Sequence, residues 1–284
     1  MEYLQDGLAK LQSLYSFCKK ISIIGSAKFA GSHRTLMLEK MVEKILLHDN
    51  SILLLTSVAQ KQIQELDISL IASATRNIMD STNIYFHIAQ RGLSKNDVEF
   101  RSFTMSLNAT YNENNITEKF GFSQDCYHAQ IDRFFYKQSN VIFQRFTQFN
   151  ELPKDEQKKV LSGHKPTYNM KSPNILEKQT ESAIYNLLSN SVHGLYLGLS
   201  NNSINRSYPF NSFFNATRLL TISLQVSRIY TAHVVKDYLN LRKRLYSLLT
   251  AEEKTQLKLY MCSTDLKNYI EMLRVEYEKD LWGK

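Results

Sequence analysis

Six polar residues, Ser69, Ser73, Arg76, Asp80, Asn83 and His87, follow one another at steps of four, three, four, three and four. On a helix that rhythm sets them within about 80° of each other. An arginine and a carboxylate four residues apart pair along such a face, and a histidine titrates where acid–base chemistry needs it. Around them stand Leu70, Ile71, Ala74, Ile78, Met79, Ile84, Tyr85, Phe86 and Ile88. A surface helix has the opposite proportions, so the spacing predicts a mostly buried helix with its polar row along a pocket or an internal seam. Ser182, Asn186, Ser189 and His193 repeat the rhythm inside 182–205, a stretch with no acid, lysine or arginine. If the two rows face each other, Arg76, Asp80 and His87 meet Asn186, Ser189 and His193 in one interior site between the two helices. The same rows equally describe a hydrogen-bonded seam that fixes register and does no chemistry.

A second candidate is the pair Arg228 and His233, five residues apart. It resembles the motif of HEPN ribonucleases, an all-helical family. That resemblance implies metal-independent RNA cleavage in a dimeric cleft, with Arg228 stabilising phosphate charge and His233 serving in the cleavage step. The family commonly has a polar residue after its arginine, where this chain has Ile229. On an unbroken helix the two side chains point about 140° apart, so a shared phosphate site requires a kink.

Two further segments are similar to those of a group of bacterial all-helical proteins without an assigned activity. These are Asp67-Ile-Ser-Leu-Ile-Ala-Ser-Ala-Thr-Arg76-Asn-Ile-Met-Asp80 and Tyr185-Asn-Leu-Leu-Ser189-Asn-Ser-Val192-His193-Gly194. The shared pattern is an arginine-to-acid pair in one helix and a Ser-x-x-Val-His element in a later one, with Asp80 standing where glutamate is usual. The resemblance implies a helical fold and bacterial origin, and proteins of this kind look like those found beside mobile-element and anti-phage genes; a role in a defence or stress system is the expectation.

The tightest basic group is Arg242-Lys243-Arg244, flanked by Leu241, Leu245 and Tyr246, in a chain of formal net charge +8. Such a group contacts phosphates of a nucleic acid, or serves the dipole at a helix end. Cys126 and His128 stand two apart while His33, His48 and His164 are scattered, so no metal site is expected. Cys18, Cys126 and Cys262 are an odd, distant set that suits free thiols in a reducing compartment. There is no GxxxxGK[ST], no GxGxxG after a strand, no HExxH and no GxSxG. Nucleotide hydrolysis and the common hydrolase chemistries are unsupported, and no cofactor is expected.

Only nine glycines and four prolines in 284 residues leave room for long elements and few turns. The pattern predicts an all-α fold, an irregular bundle of about nine to eleven helices. Helices are expected over 2–22, 34–47 and, after a break at Asp49-Asn50, 51–64. Beyond the striped helix, Ser94 and Asp97 form a capping box for a helix over 95–107, followed by a polar surface loop at 108–117. Further helices fill 123–149, the residues after Pro153, 175–199 and, as one helix or two, 210–249. Thr250 with Glu253 caps the next, and 264–281 closes the chain. The whole reads as one domain, 1–284, or as two lobes, 1–162 and 175–284, joined by the proline-containing loop 163–174. The first residues lack a signal peptide's basic start, and no apolar run is long enough to cross a bilayer. A cytoplasmic protein without a membrane partner is expected. It works through its polar pocket or through a protein partner, a second copy of itself included. The alternatives are the ribonuclease and a nucleic-acid-binding module.

Overall fold

The computed structural model describes residues 2–26, 31–62, 67–122, 127–168, 170–192 and 214–282. They form ten helices of eight residues or more and two shorter ones, packed on one another. These are α1 (Glu2–Ser26), α2 (His33–Gln62), α3 (Ser69–Ala89), α4 (Lys95–Lys119), α5 (Tyr127–Phe143) and α6 (Thr147–Asn150), then α7 (Lys154–Leu161), α8 (Lys178–Val192), α9 (Ala216–Leu241), α10 (Lys243–Ser247), α11 (Ala251–Met261) and α12 (Thr264–Trp282). Both capping boxes form: Ser94 and Thr250 each accept a bond from the backbone three residues on, and Asp97 and Glu253 reach back. Contacts divide the chain into one unit of 1–85 with 172–284 and a second of 86–171. This grouping differs from a division at 163–174, because the chain leaves the first unit within α3 and returns to it at Ser172.

The first unit is built around α9. From Leu219 to Ala232 every residue of this helix is buried, whichever way it faces. A helix apolar all round suits such a place, yet α9 carries Thr221, Ser223, Gln225, Ser227, Arg228 and Thr231 there. Three of these are satisfied by neighbours distant in sequence: Arg228 donates to the Tyr260 carbonyl at 2.7 Å, Ser227 bonds with Thr75 of α3 at 3.2 Å, and Thr231 donates to Asp49 of α2 at 2.8 Å. At Gly7 α1 packs closely on α9. A methyl group added there would stand 3.2 Å from Gln225 Nε2 and 3.5 Å from Leu224 Cβ.

Helix α2 runs through Asp49-Asn50 without a break. Asp49 sits on its buried face in register with Leu38, Val42, Ile45, Ile52 and Thr56, and tertiary packing overrides its weak helix propensity. One carboxyl oxygen accepts from Thr231 while the other, Oδ1, has no partner. Burial holds this carboxyl well above the usual range. A raised folded value means that stability falls as pH rises from about 4, where the unfolded chain gives up its proton and the native one does not. Asp49→Asn keeps an acceptor for Thr231 and removes that cost. The variant is expected to melt higher than the wild type at neutral pH, with the gain vanishing below about pH 4. A gain of the same size at every pH would show that ionisation is not its source.

In the second unit Phe100, Leu107, Phe143, Phe146, Phe149 and Val160 form the core, with Phe100 edge-on to Phe143 at 5.9 Å. The Asn-rich stretch 108–117 is helix and not a loop, continuing α4 to Lys119. Tertiary contacts hold it: Asn108 donates to the Gly163 carbonyl at 2.7 Å, and the Tyr111 ring lies 4.5 Å from that of His164. Gly163 has a φ of +69°, and a Cβ there would lie 2.8 Å from Tyr111 Cβ. Both conditions require glycine.

Candidate functional site

The row on α3 lies along an edge of the helix and is less deeply buried than its apolar surroundings suggest. Ser69, Ser73, Arg76, Asp80 and Asn83 are half-buried, and the Arg76 and Asp80 side chains are 29% and 44% exposed. Thr75 and Thr82, outside the row, are fully buried polar residues of α3. Arg76 Nε stands 3.8 Å from Asp80 Oδ2, and Nε and Nη2 donate to the Tyr185 hydroxyl of α8 at 3.3 and 3.2 Å. Its guanidinium also lies over the Tyr185 ring, 5.1 Å from the centroid. Burial raises the Asp80 carboxyl above its usual range and Arg76 opposes the rise. So α3 and α8 do meet, through a tyrosine outside the polar row. Asn186 is exposed and Ser189 half-buried, and neither bonds to α3 among the described residues. His193 lies outside the described residues. His87 falls in the second unit, 5% exposed, its carbonyl taken by the Arg101 guanidinium. Burial, helped by the Arg101 charge, depresses the His87 imidazole to about 4.

Arg228 and His233 both reach the turn between α11 and α12. Arg228 is 0% exposed. Its Nη1 donates to the carbonyls of Leu259 and Tyr260 at 3.2 and 2.7 Å, and Nη2 to Gln225 Oε1 at 2.7 Å and the Cys262 carbonyl at 3.0 Å. Asp265 Oδ2 is 3.4 Å from Nη2 and is also held by Lys10 at 2.9 Å. The last carbonyls of a helix lack partners within it, and a buried guanidinium supplies them here. His233 is depressed by burial, while a hydrogen bond with the Met261 backbone favours its charged form. One uninterrupted helix thus sends both side chains to a single turn, where each bonds to backbone, while Arg228 Nε is buried without a partner. This arrangement does not favour a phosphate-holding Arg228. The guanidinium has neither exposure nor a free Nη donor direction to offer a substrate.

The chain matches no family model, no curated protein and no solved structure. Its function is therefore argued from its own surfaces.

An apolar concavity uses α8, but with α9 and α12 in place of α3. Ala183, Ile184, Leu187, Phe214, Ile222, Ile270 and Leu273 line a cleft of about 560 Å³, with Gln179, Thr180, Arg274 and Tyr277 supplying polar groups. Of the two polar rows, Ser182 and Asn186 border a shallow concavity on the outer face of α8. Ala183 and Leu187 follow Thr180 at steps of three and four, so a second face of α8 was present in the sequence beside the row at 182, 186 and 189. Among the described residues no cluster of three metal-ligating side chains occurs, and Cys126 lies outside them. No described helix is long and apolar enough to cross a membrane.

The basic group divides. Arg242 turns inward, 3.5 Å from Glu39 of α2 and over the Tyr238 ring, while Lys243 and Arg244 are exposed on α10. Arg242 is thus part of the packing between α2 and α9 and not a solvent-facing phosphate ligand.

Proposed function

We propose that this chain is a helical binding protein whose ligand is a small, mainly apolar molecule held in the cleft between α8, α9 and α12. The observation that carries the reading is the cleft itself. Its volume, about 560 Å³, lies in the range of small-molecule sites, roughly 300–1,000 Å³, and its walls have their character, apolar with a few polar groups. Arg274 is engaged by Glu271 at 2.6 Å and Glu278 at 3.9 Å, so the polar contribution left to a ligand comes chiefly from Gln179 and Thr180. A neutral ligand with one hydrogen-bonding end suits that set better than an anion.

Ala183 faces the cleft and is exposed, so a tryptophan there fills the space without overpacking the core. The neutral dye Nile red is expected to bind the wild type with enhanced emission. Ala183→Trp should weaken that binding at least about tenfold, since it removes most of the apolar contact, and leave the melting temperature unchanged. Equal dye affinity in the two proteins would remove the cleft as the site. The ribonuclease reading is the less supported, because its arginine is spent on the α11–α12 turn. RNA cleavage that survives EDTA and is abolished by His233→Ala would restore it.

A further inference from the structure

Tyr246 of α10 lies under two ammonium groups. Lys236 Nζ is 4.1 Å from its ring centroid and donates to its hydroxyl at 2.9 Å, and Lys254 Nζ is 5.0 Å from the same centroid. Lys258 follows Lys254 by one turn of α11 and shares its face. The Lys236 hydrogen bond, with the charges of Lys236, Lys254 and Lys258 behind it, holds the Tyr246 phenol below its usual range. Lys243 and Arg244 are exposed on the turn that precedes the ring.

Pairing is common elsewhere in this unit: Lys10, Lys20, Arg218 and Arg242 each meet a carboxylate from another helix. No described carboxylate forms an ion pair with Lys236, Lys243, Arg244, Lys254 or Lys258. Three helices therefore bring uncompensated positive charge together, and the negative face of one aromatic ring gathers it. Like charges collected this way repel, and an anion relieves the repulsion.

We propose that this cluster binds the phosphate backbone of a nucleic-acid strand, independently of base sequence. Two ammonium groups already lie against the ring, so the site offers charge rather than a stacking platform. A net charge of +8 adds the long-range attraction that a polyanion feels. A membrane surface fits less well. The exposed leucines nearby point elsewhere: Leu248 is about 160° round its helix from Tyr246, and Leu259 about 100° from Lys258.

The test is fluorescence anisotropy of a labelled thymidine single strand with the intact chain, from about 50 to about 200 mM salt. The logarithm of affinity should fall linearly with that of salt, by about 0.7 per phosphate neutralised. Lys236→Gln with Lys254→Gln and Lys258→Gln should flatten the slope by about two and weaken low-salt binding at least about tenfold. Lys119→Gln with Lys137→Gln and Lys154→Gln makes the same change of net charge and should leave both nearly unaltered. Tyr246→Leu changes no charge, and is expected to weaken binding about threefold or more by releasing the ammonium groups. It also serves if the triple variant does not fold. Absence of binding at the lowest salt overturns the proposal, as does equal loss in the two triple variants. Binding to phosphatidylserine vesicles without binding to the strand overturns it too.

Discussion

Arg228→Met will cost on the order of 3–5 kcal/mol of stability, the range for removing one member of a buried, hydrogen-bonded charge network. The loss is large because one guanidinium serves the carbonyls of Leu259, Tyr260 and Cys262 together with Gln225, and the bonds to Tyr260 and Gln225 are buried. The methionine fills much of the volume, so the deficit is mainly polar. Arg228→Lys should recover little, since a single ammonium on a flexible stem cannot bridge acceptors spread over four residues. Denaturant midpoints of the three proteins measure this. A change within about 0.5 kcal/mol, as for an ordinary surface position, would mean that the turn between α11 and α12 holds itself. Loss of any activity in such a variant reports unfolding before it reports chemistry.

Lowering the pH from about 6.5 to about 4 will remove on the order of 2–3 kcal/mol of stability through His87 alone. Its imidazole is depressed to about 4 by burial and the Arg101 charge. Between that value and about 6.5 the unfolded chain binds a proton that the native one refuses, so stability is complete above the window and is lost as pH falls through it. The sign is opposite to that at Asp49, whose native state keeps a proton the unfolded chain releases. His87→Gln cannot titrate, and its stability should fall less between pH 7 and pH 4.5 than that of the wild type. Parallel pH profiles of the two proteins would show that the histidine opens to solvent before it charges.

The helical class, the capping boxes and the burial of α3 were legible because each follows from local spacing. Ser94 with Asp97 and Thr250 with Glu253 need only three residues of context. Asp49 was legible too, though its signal was overridden. Leu38, Val42, Ile45, Asp49, Ile52 and Thr56 keep the same four-three rhythm as the row on α3, and a break placed at Asp49-Asn50 hid it. The continuation of α4 was not legible, because what holds it is a glycine 55 residues away from Asn108. Nor was the partner of Arg76. The rule that a polar row seeks a polar row passed over Tyr185, whose ring and hydroxyl both suit a guanidinium. At Arg228 the residue types and spacing matched a catalytic pair, but spacing along one helix does not reveal what the helix packs against. Here that was the C-terminal end of another.

The central place of α9 also sets the order in which the chain can become a protein. Thr75 waits 152 positions for Ser227, and Asp49 waits 182 for Thr231. Contacts of that span close late and slow the folding of a chain whose local structure forms fast. Until α9 has left the ribosome, α1, α2 and α3 present Leu11, Leu14, Ile45, Ile52, Ile71 and Ile78 without the helix that covers them in the native state. The nascent first half is thus amphipathic, helical and without its central helix, the condition in which chains aggregate or recruit chaperones.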